Sequence, residues 1–262
     1  MGRLWLDVVV GRGCTVLRHA RRAVRRHRGV AMLPALALAL PAQAELAPLA
    51  GPSGDSPSAA WKFTGLPQQK PPATRYSVRE MDGRRVLRVE SEQSYGNLVH
   101  SLQDVPAGVL SWRWRVDRPI ASANLHTRQG DDAALKVCAM FDLPPAQVPF
   151  VERQLLRLAE MRTGTTLPTA TLCYVWEPTL PAGSVLANAY TRRVRFITLP
   201  GVPGLWSAER RDLRADFLRA FGDESRTVPA LSAIAVGADA DNTGGHGLAW
   251  LDDLRHEPAG PP

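Results

Sequence analysis

Between Gly108 and Asp117 the chain reads GVLSWRWRVD, with Leu110, Trp112, Trp114 and Val116 in one phase and Ser111, Arg113, Arg115 and Asp117 in the other. Successive side chains on a strand point to opposite faces, so this alternation describes a strand with one face in a core and the other toward water. The pattern recurs with turn residues between, which commits most of the chain to sheet. RRVLRVES (Arg84 to Ser91) follows an Asp82-Gly83 turn, and GNLVHSL (Gly96 to Leu102) comes next. DDAALKVCAMFD aligns Leu135, Val137, Ala139 and Phe141, while TLCYVWE aligns Leu172, Tyr174 and Trp176. RRVRFITL, LSAIAVGAD and HGLAWLDDLRH complete the set. Two segments have helical spacing instead. Val148, Val151, Leu155 and Leu158 form a stripe that Gly164 can close in a left-handed conformation. The second predicted helix begins at Ser207, carries Leu213, Phe217 and Phe221 on one side, and stops at Gly222. The expected fold is therefore mainly β, a jelly-roll-like antiparallel β-sandwich with two peripheral helices.

The first 44 residues read as something other than this domain. An arginine block from Arg18 to Arg28 precedes the apolar run GVAMLPALALAL and then PAQA, the order of a secretory signal peptide with cleavage expected near Ala44. The run is too short for a stable membrane span, although an uncleaved N-terminal anchor is the alternative. Of 32 basic and 25 acidic residues, eight Arg and one Asp fall in this leader, leaving 24 of each. The overall charge of +7 is thus mostly leader, and nucleic-acid binding loses its main support. The implied organisation is a signal peptide (1–44), a flexible Pro/Gly/Ser linker (45–60), one β-sandwich domain (61–257) and a disordered tail (258–262). The mature protein is expected in the periplasm or secreted, with no transmembrane span. Cys14 leaves with the leader; Cys138 and Cys173 remain, either bridged in an oxidising compartment or packed as buried thiols.

Candidate sites follow from residue types that chemistry can use. DADNTG offers oxygen ligands at Asp239, Asp241 and Thr243, with Gly244 where a calcium loop turns sharply. Its twelfth position is Trp250 rather than a bidentate Glu, which excludes a helix-loop-helix site and leaves an irregular calcium site between strands. The alternative is a strand-to-strand turn in which Asp and Asn cap their own backbone. Trp112, Trp114, Tyr174 and Trp176 would make an aromatic platform for a sugar, with Arg113 and Asp132 orienting polar groups; the competing role for these rings is core packing. Asp252-Asp253 and Asp131-Asp132 are consecutive, so each pair diverges on a strand unless a bulge intervenes. Glu209, Arg210, Arg211 and Asp216 read either as an anion-binding helix start or as solvated charges. Hydrolase elbow, zinc-protease, Cys-x-x-Cys, P-loop and dinucleotide motifs are all missing from the sequence.

In order along the chain, LSWRWRV, GDDAALKVCAMF, LCYVWE, NAYTRRVRFITLPG, LWSAERRDLRADFLRAFG and IAVGADADNTGGHGLAWLDDLRH resemble the exported bacterial domain of unknown function 3047 family. The resemblance spans residues 61 to 256 and implies an exported β-rich domain without assigning an activity. A helical, Pro-flanked insert between Phe141 and Leu172 is longer than that pattern implies. The ending AWLDDLRH is similar to the last strand of jelly-roll carbohydrate-binding and adhesion domains. The leading expectation is non-catalytic binding of a carbohydrate or other cell-envelope ligand. The alternatives are a polysaccharide lyase or glycosidase drawing on Asp132, Glu177, Asp239 and His246, and a structural envelope protein that acts through a protein partner.

Overall fold

The computed structural model describes residues 46–260 apart from Pro67 and Thr165. The predicted leader and the last two residues of the tail lie outside the described residues. The strands are β1 (Lys62–Thr64), β2 (Arg75–Met81), β3 (Arg84–Glu92), β4 (Tyr95–Val105), β5 (Val109–Arg118), β6 (Ala133–Phe141), β7 (Ala170–Trp176), β8 (Val185–Ala187), β9 (Val194–Leu199), β10 (Ser207–Asp212), β11 (Leu231–Asp239) and β12 (His246–Glu257). Helix α1 (Phe150–Thr163) lies between β6 and β7, and α2 (Leu213–Phe221) lies between β10 and β11.

Two sheets form the sandwich, a seven-stranded one ordered β1-β4-β11-β6-β7-β9-β8 and a five-stranded one ordered β10-β5-β12-β3-β2. The chain changes sheet at each step from β3 to β6 and again from β10 to β12, the crossing habit of a jelly roll. The β2–β3 hairpin turns at Asp82 and Gly83, both with positive φ (53° and 71°), matching the strand twist as an Asp-Gly turn does. One pair departs from the antiparallel expectation: β9 runs parallel to β7, because the excursion through β8 returns the chain in the direction it left.

The alternation sets the core. Leu110, Trp112, Trp114 and Val116 of β5 are 0–1 % exposed and belong to one buried cluster with Leu135, Val137, Ala139 and Phe141 of β6 and Leu172 and Tyr174 of β7. Trp112 meets Trp114 edge-on at 5.4 Å and Tyr174 at 5.2 Å between ring centroids. α2 buries Leu213, Phe217 and Phe221, with Phe217 against Phe141, and is capped by Asp212, whose carboxylate accepts from the backbone N–H of Arg214 and Ala215.

Three expectations are corrected. Ser207–Asp212 is a strand and not the start of α2, because pairing with β5 overrides the helix-forming Ala, Glu and Arg there. The residues expected to form a free tether are packed down: Leu46 and Leu49 are buried, Trp61 Nε1 donates to Ala47 O, and Arg85 donates to the carbonyls of Gly51 and Gly54. In the tail, Pro258 and Ala259 lie so close to Gly108 that a Cβ there would meet their backbone within 2.7 Å.

Candidate functional site

The outward phase of the seven-stranded sheet holds the chemistry. It carries Asn97 on β4, Gly237 and Asp239 on β11, Lys136, Cys138 and Met140 on β6, Thr171 and Cys173 on β7, and Val194 and Phe196 on β9. All of these except Gly237 line a groove of about 520 Å3. Cys138 and Cys173, opposite each other in register, are joined as a disulfide that forms its floor with Phe196 and Met140. The loops after β8 and β11 supply a rim of Asn188, Tyr190, Asp241 and Asn242.

Gly237 makes the polar end possible. A Cβ there would fall 2.1 Å from Asn97 Oδ1 and 2.9 Å from Lys136 Cε, so only glycine lets both side chains cross the sheet. Lys136 Nζ donates to Asp239 Oδ2 at 2.6 Å, while Asp239 Oδ1 accepts from the Ala133 backbone N–H at 2.9 Å. Asp131, two residues ahead of β6, accepts from Asn188 Nδ2. Tyr190 is 54 % exposed yet held in place: its hydroxyl lies 2.9 Å from Asn242 Oδ1, and Arg128 stacks on its ring at 5.2 Å.

The electrostatics are those of acid excess around a single ammonium. Burial, with the neighbouring Asp239 and Asp132 adding to it, pushes the Asp131 carboxyl up despite Lys136 and Asn188. Burial likewise pushes up Asp239 and Asp241, each helped by other carboxylates of the cluster. Burial alone would lower Lys136, but Asp239 and its neighbours raise it and keep the ammonium charged. Tyr190 is raised too, by burial and then by Asp131 and Asp241, so its hydroxyl stays a donor.

The loop after β11 is a turn built on Asp132. Its Oδ1 accepts from Asn242 N and Nδ2, and its Oδ2 from Thr243 N and Oγ1. The trio expected to ligate calcium is thereby spread among other duties, Asp239 on Lys136 and Ala133 N, Thr243 on Asp132, and Asp241 on the rim. Among the described residues, no group of three His, Cys, Asp or Glu is placed to hold a metal ion.

The expected sugar platform is corrected as well. Trp112, Trp114 and Tyr174 lie between the sheets, and Trp176 is covered by Gly201, where a Cβ would fall 1.8 Å from its Nε1. Tyr174 instead donates to Asp216, which Arg211 clasps with two bonds of 2.9 Å. Arg113 points out from the other sheet, stacked on Trp206 at 5.1 Å, and never meets Asp132. Of the residues weighed for hydrolysis, Asp132 and Asp239 stay together in the acid cluster of the groove, whereas Glu177 accepts from Thr179 and His246 sits between Glu90 and Arg118 on the five-stranded sheet. Sequence reasoning missed Tyr190, Asn188, Asn97 and Lys136. For Asn97 and Lys136 the available signal was the polar phase of β4 and β6, opposite their apolar phase; Asn188 and Tyr190, in the loop after β8, carried no such signal.

A larger cavity of about 720 Å3 lies between residues 46–50 and β12. A bulge there, with Asp253 at φ 56°, brings Asp252 and Asp253 to the same cavity. Both carboxylates are already matched, Asp252 by Arg84 at 2.7 Å and Asp253 by Arg255 at 2.6 Å, so this cavity offers less unspent chemistry than the groove.

The molecule is thus a two-sheet β-sandwich with a ligand-sized groove on the outer face of its larger sheet. The chain belongs to the family described as protein of unknown function DUF3047, whose model matches residues 59–255. No curated protein matches it. Among solved structures it is similar to the xyloglucanase domain of NopAA, a type three effector from Sinorhizobium fredii, at 8 % identity over 79 % of this chain and 98 % of that one, TM-score 0.42. It is similar to a family 12 xyloglucanase from Bacillus licheniformis at 10 % identity over 79 % and 98 %, TM-score 0.40. A family 29 carbohydrate-binding module aligns at 10 % identity over 78 % and 86 %, TM-score 0.33. No helix of the described residues is long and apolar enough to cross a membrane.

Proposed function

We propose that the protein binds a hydroxyl-rich carbohydrate, without chemistry, in the groove above the Cys138–Cys173 disulfide. The observation that carries this reading is Tyr190, an exposed ring held by Asn242 beside Asn188, Asp131 and Lys136 over an apolar floor. A fixed aromatic face suits the C–H face of a sugar, and amides and carboxylates suit its hydroxyls. The acid excess favours a neutral glycan over a uronate. Calorimetric titration with neutral and uronic oligosaccharides tests it: a neutral oligomer binds, and Tyr190→Ala weakens binding at least about tenfold while the melting temperature holds, because truncating an exposed ring leaves the core intact. Absence of binding by every oligomer overturns the proposal.

A glycosidase is the second reading, favoured by the raised Asp131 and Asp241 carboxyls, since a general acid must hold a proton near its working pH. Release of new reducing ends, lost in Asp131→Asn with oligosaccharide binding retained, decides for it.

A further inference from the structure

Helix α1 turns its acidic side to the protein and its apolar side to water. The Glu152 carboxylate lies 3.4 Å from Arg193 Nε, Glu160 accepts from the backbone N–H of Leu167, and Leu156 packs against the core. On the opposite side Phe150, Val151, Leu155, Leu158 and Met161 are 42–76 % exposed. At about 100° per residue these five fall within an arc of roughly 140°. The stripe expected to bury this helix therefore does the reverse, and only Val148, ahead of the first turn, is buried.

What covers such a face is decided by the charges around it. Exposed Arg157 borders the arc on one side and exposed Arg162 stands near the other, while Arg153 lies with its guanidinium 5.7 Å from the centre of the Phe150 ring. Outward charge on α1 is thus arginine, and both of its acids are engaged inward. A second copy of the chain would face the same arginines. Five side chains also fall well short of the ~20–30 residues a side of a stable interface.

We infer that α1 is an interfacial anchor that lays its apolar face into the headgroup region of an anionic phospholipid bilayer, with Arg157 and Arg162 meeting the phosphates. The inference is independent of the carbohydrate proposal. It has a spatial corollary for that site: Leu167 and Pro168, only a few residues past the end of α1, wall the groove, so docking holds the groove beside the bilayer.

Co-sedimentation of the purified protein with vesicles of phosphatidylcholine alone, or mixed with phosphatidylglycerol, tests the anchor. Binding to the anionic vesicles is at least about tenfold tighter than to the neutral ones. Leu155→Glu with Leu158→Glu abolishes it without moving the melting temperature, both positions being exposed. Arg157→Gln with Arg162→Gln removes the anionic preference and leaves a weaker residual binding to both vesicles. Failure to sediment with either vesicle overturns the inference, as does wild-type sedimentation of the double Glu variant. A concentration-dependent dimer in analytical ultracentrifugation that the Glu variant dissolves, without vesicle binding, assigns the face to a second copy instead.

Discussion

The outer faces of the two sheets treat their charged groups in opposite ways. On the five-stranded sheet, Arg88, Arg75 and His246 surround Glu90, Arg115 and Trp250 Nε1 share Asp117, and Arg84 takes Asp252. Arg88, aided by Arg75, holds the Glu90 carboxyl at about 2 against the effect of burial. On the seven-stranded sheet, Asp131, Asp239 and Asp241 share Lys136, and all three are pushed upward. A lattice of matched charges serves as a finished surface, whereas a cluster short of cations and set in a groove retains unspent capacity to bind. The contrast, rather than the count of acids, is what sets the proposed binding groove apart from the other face.

Removing the single cation of the groove is the strongest way to break this comparison. Lys136→Met leaves Asp239 buried without its partner and costs about 3–5 kcal/mol at pH 7 in urea unfolding. The deficit shrinks as pH falls, because Asp239 can then take up a proton. A deficit independent of pH means that packing, and not charge, is what Lys136 supplies. Gly237→Ala comes next, with a cost of about 1–3 kcal/mol from forcing Asn97 and Lys136 apart, and with weakened oligosaccharide binding from the same displacement. Retained binding shows that the crossing of these two side chains does not shape the groove.

The smallest effects sharpen the contrast through their signs. Asp131 has a raised pKa in the fold, so its protonated form contributes stability that is full below the unfolded value of about 3.9 and is lost as pH rises. Asp131→Asn therefore stabilises the protein at pH 7, and the gain fades toward pH 4. Glu90 has a lowered pKa, so its contribution is present above about 4.3 and disappears as pH falls through about 2. Glu90→Gln destabilises at pH 7 by roughly 1 kcal/mol or less, the scale of surface pairs. Unfolding midpoints from pH 3 to 7 that move in the same direction for both variants contradict the distinction between the faces.

Much of the architecture was legible because period-two alternation is a local signal. The phases of β5, β6 and β7 place Trp112, Val137 and Tyr174 inward as the burial shows. What the alternation lacks is the identity of the element lying across each face. Tryptophans in an apolar phase suit a core or a sugar platform equally until the opposite sheet is present to cover them. Tyr190 and Asn188 were invisible for another reason: they sit in a loop without periodicity, and their role exists only because β11 brings Asn242 within reach. β10 was misread because strand pairing is non-local while helix propensity is not.

The order of strands has a consequence in time. β11 sits between β4 and β6, and β12 between β5 and β3, so the last two strands of the domain occupy the interior of both sheets. A chain emerging from its N-terminus accumulates four strand edges that nothing fills until the final stretch arrives. Neither sheet can close early, and the rate of folding is governed by contacts between the ends of the domain. Until then β3, β4, β5 and β6 expose backbone that any other strand can pair with, so these four strands travel in need of protection by whatever handles unfolded chains in their compartment.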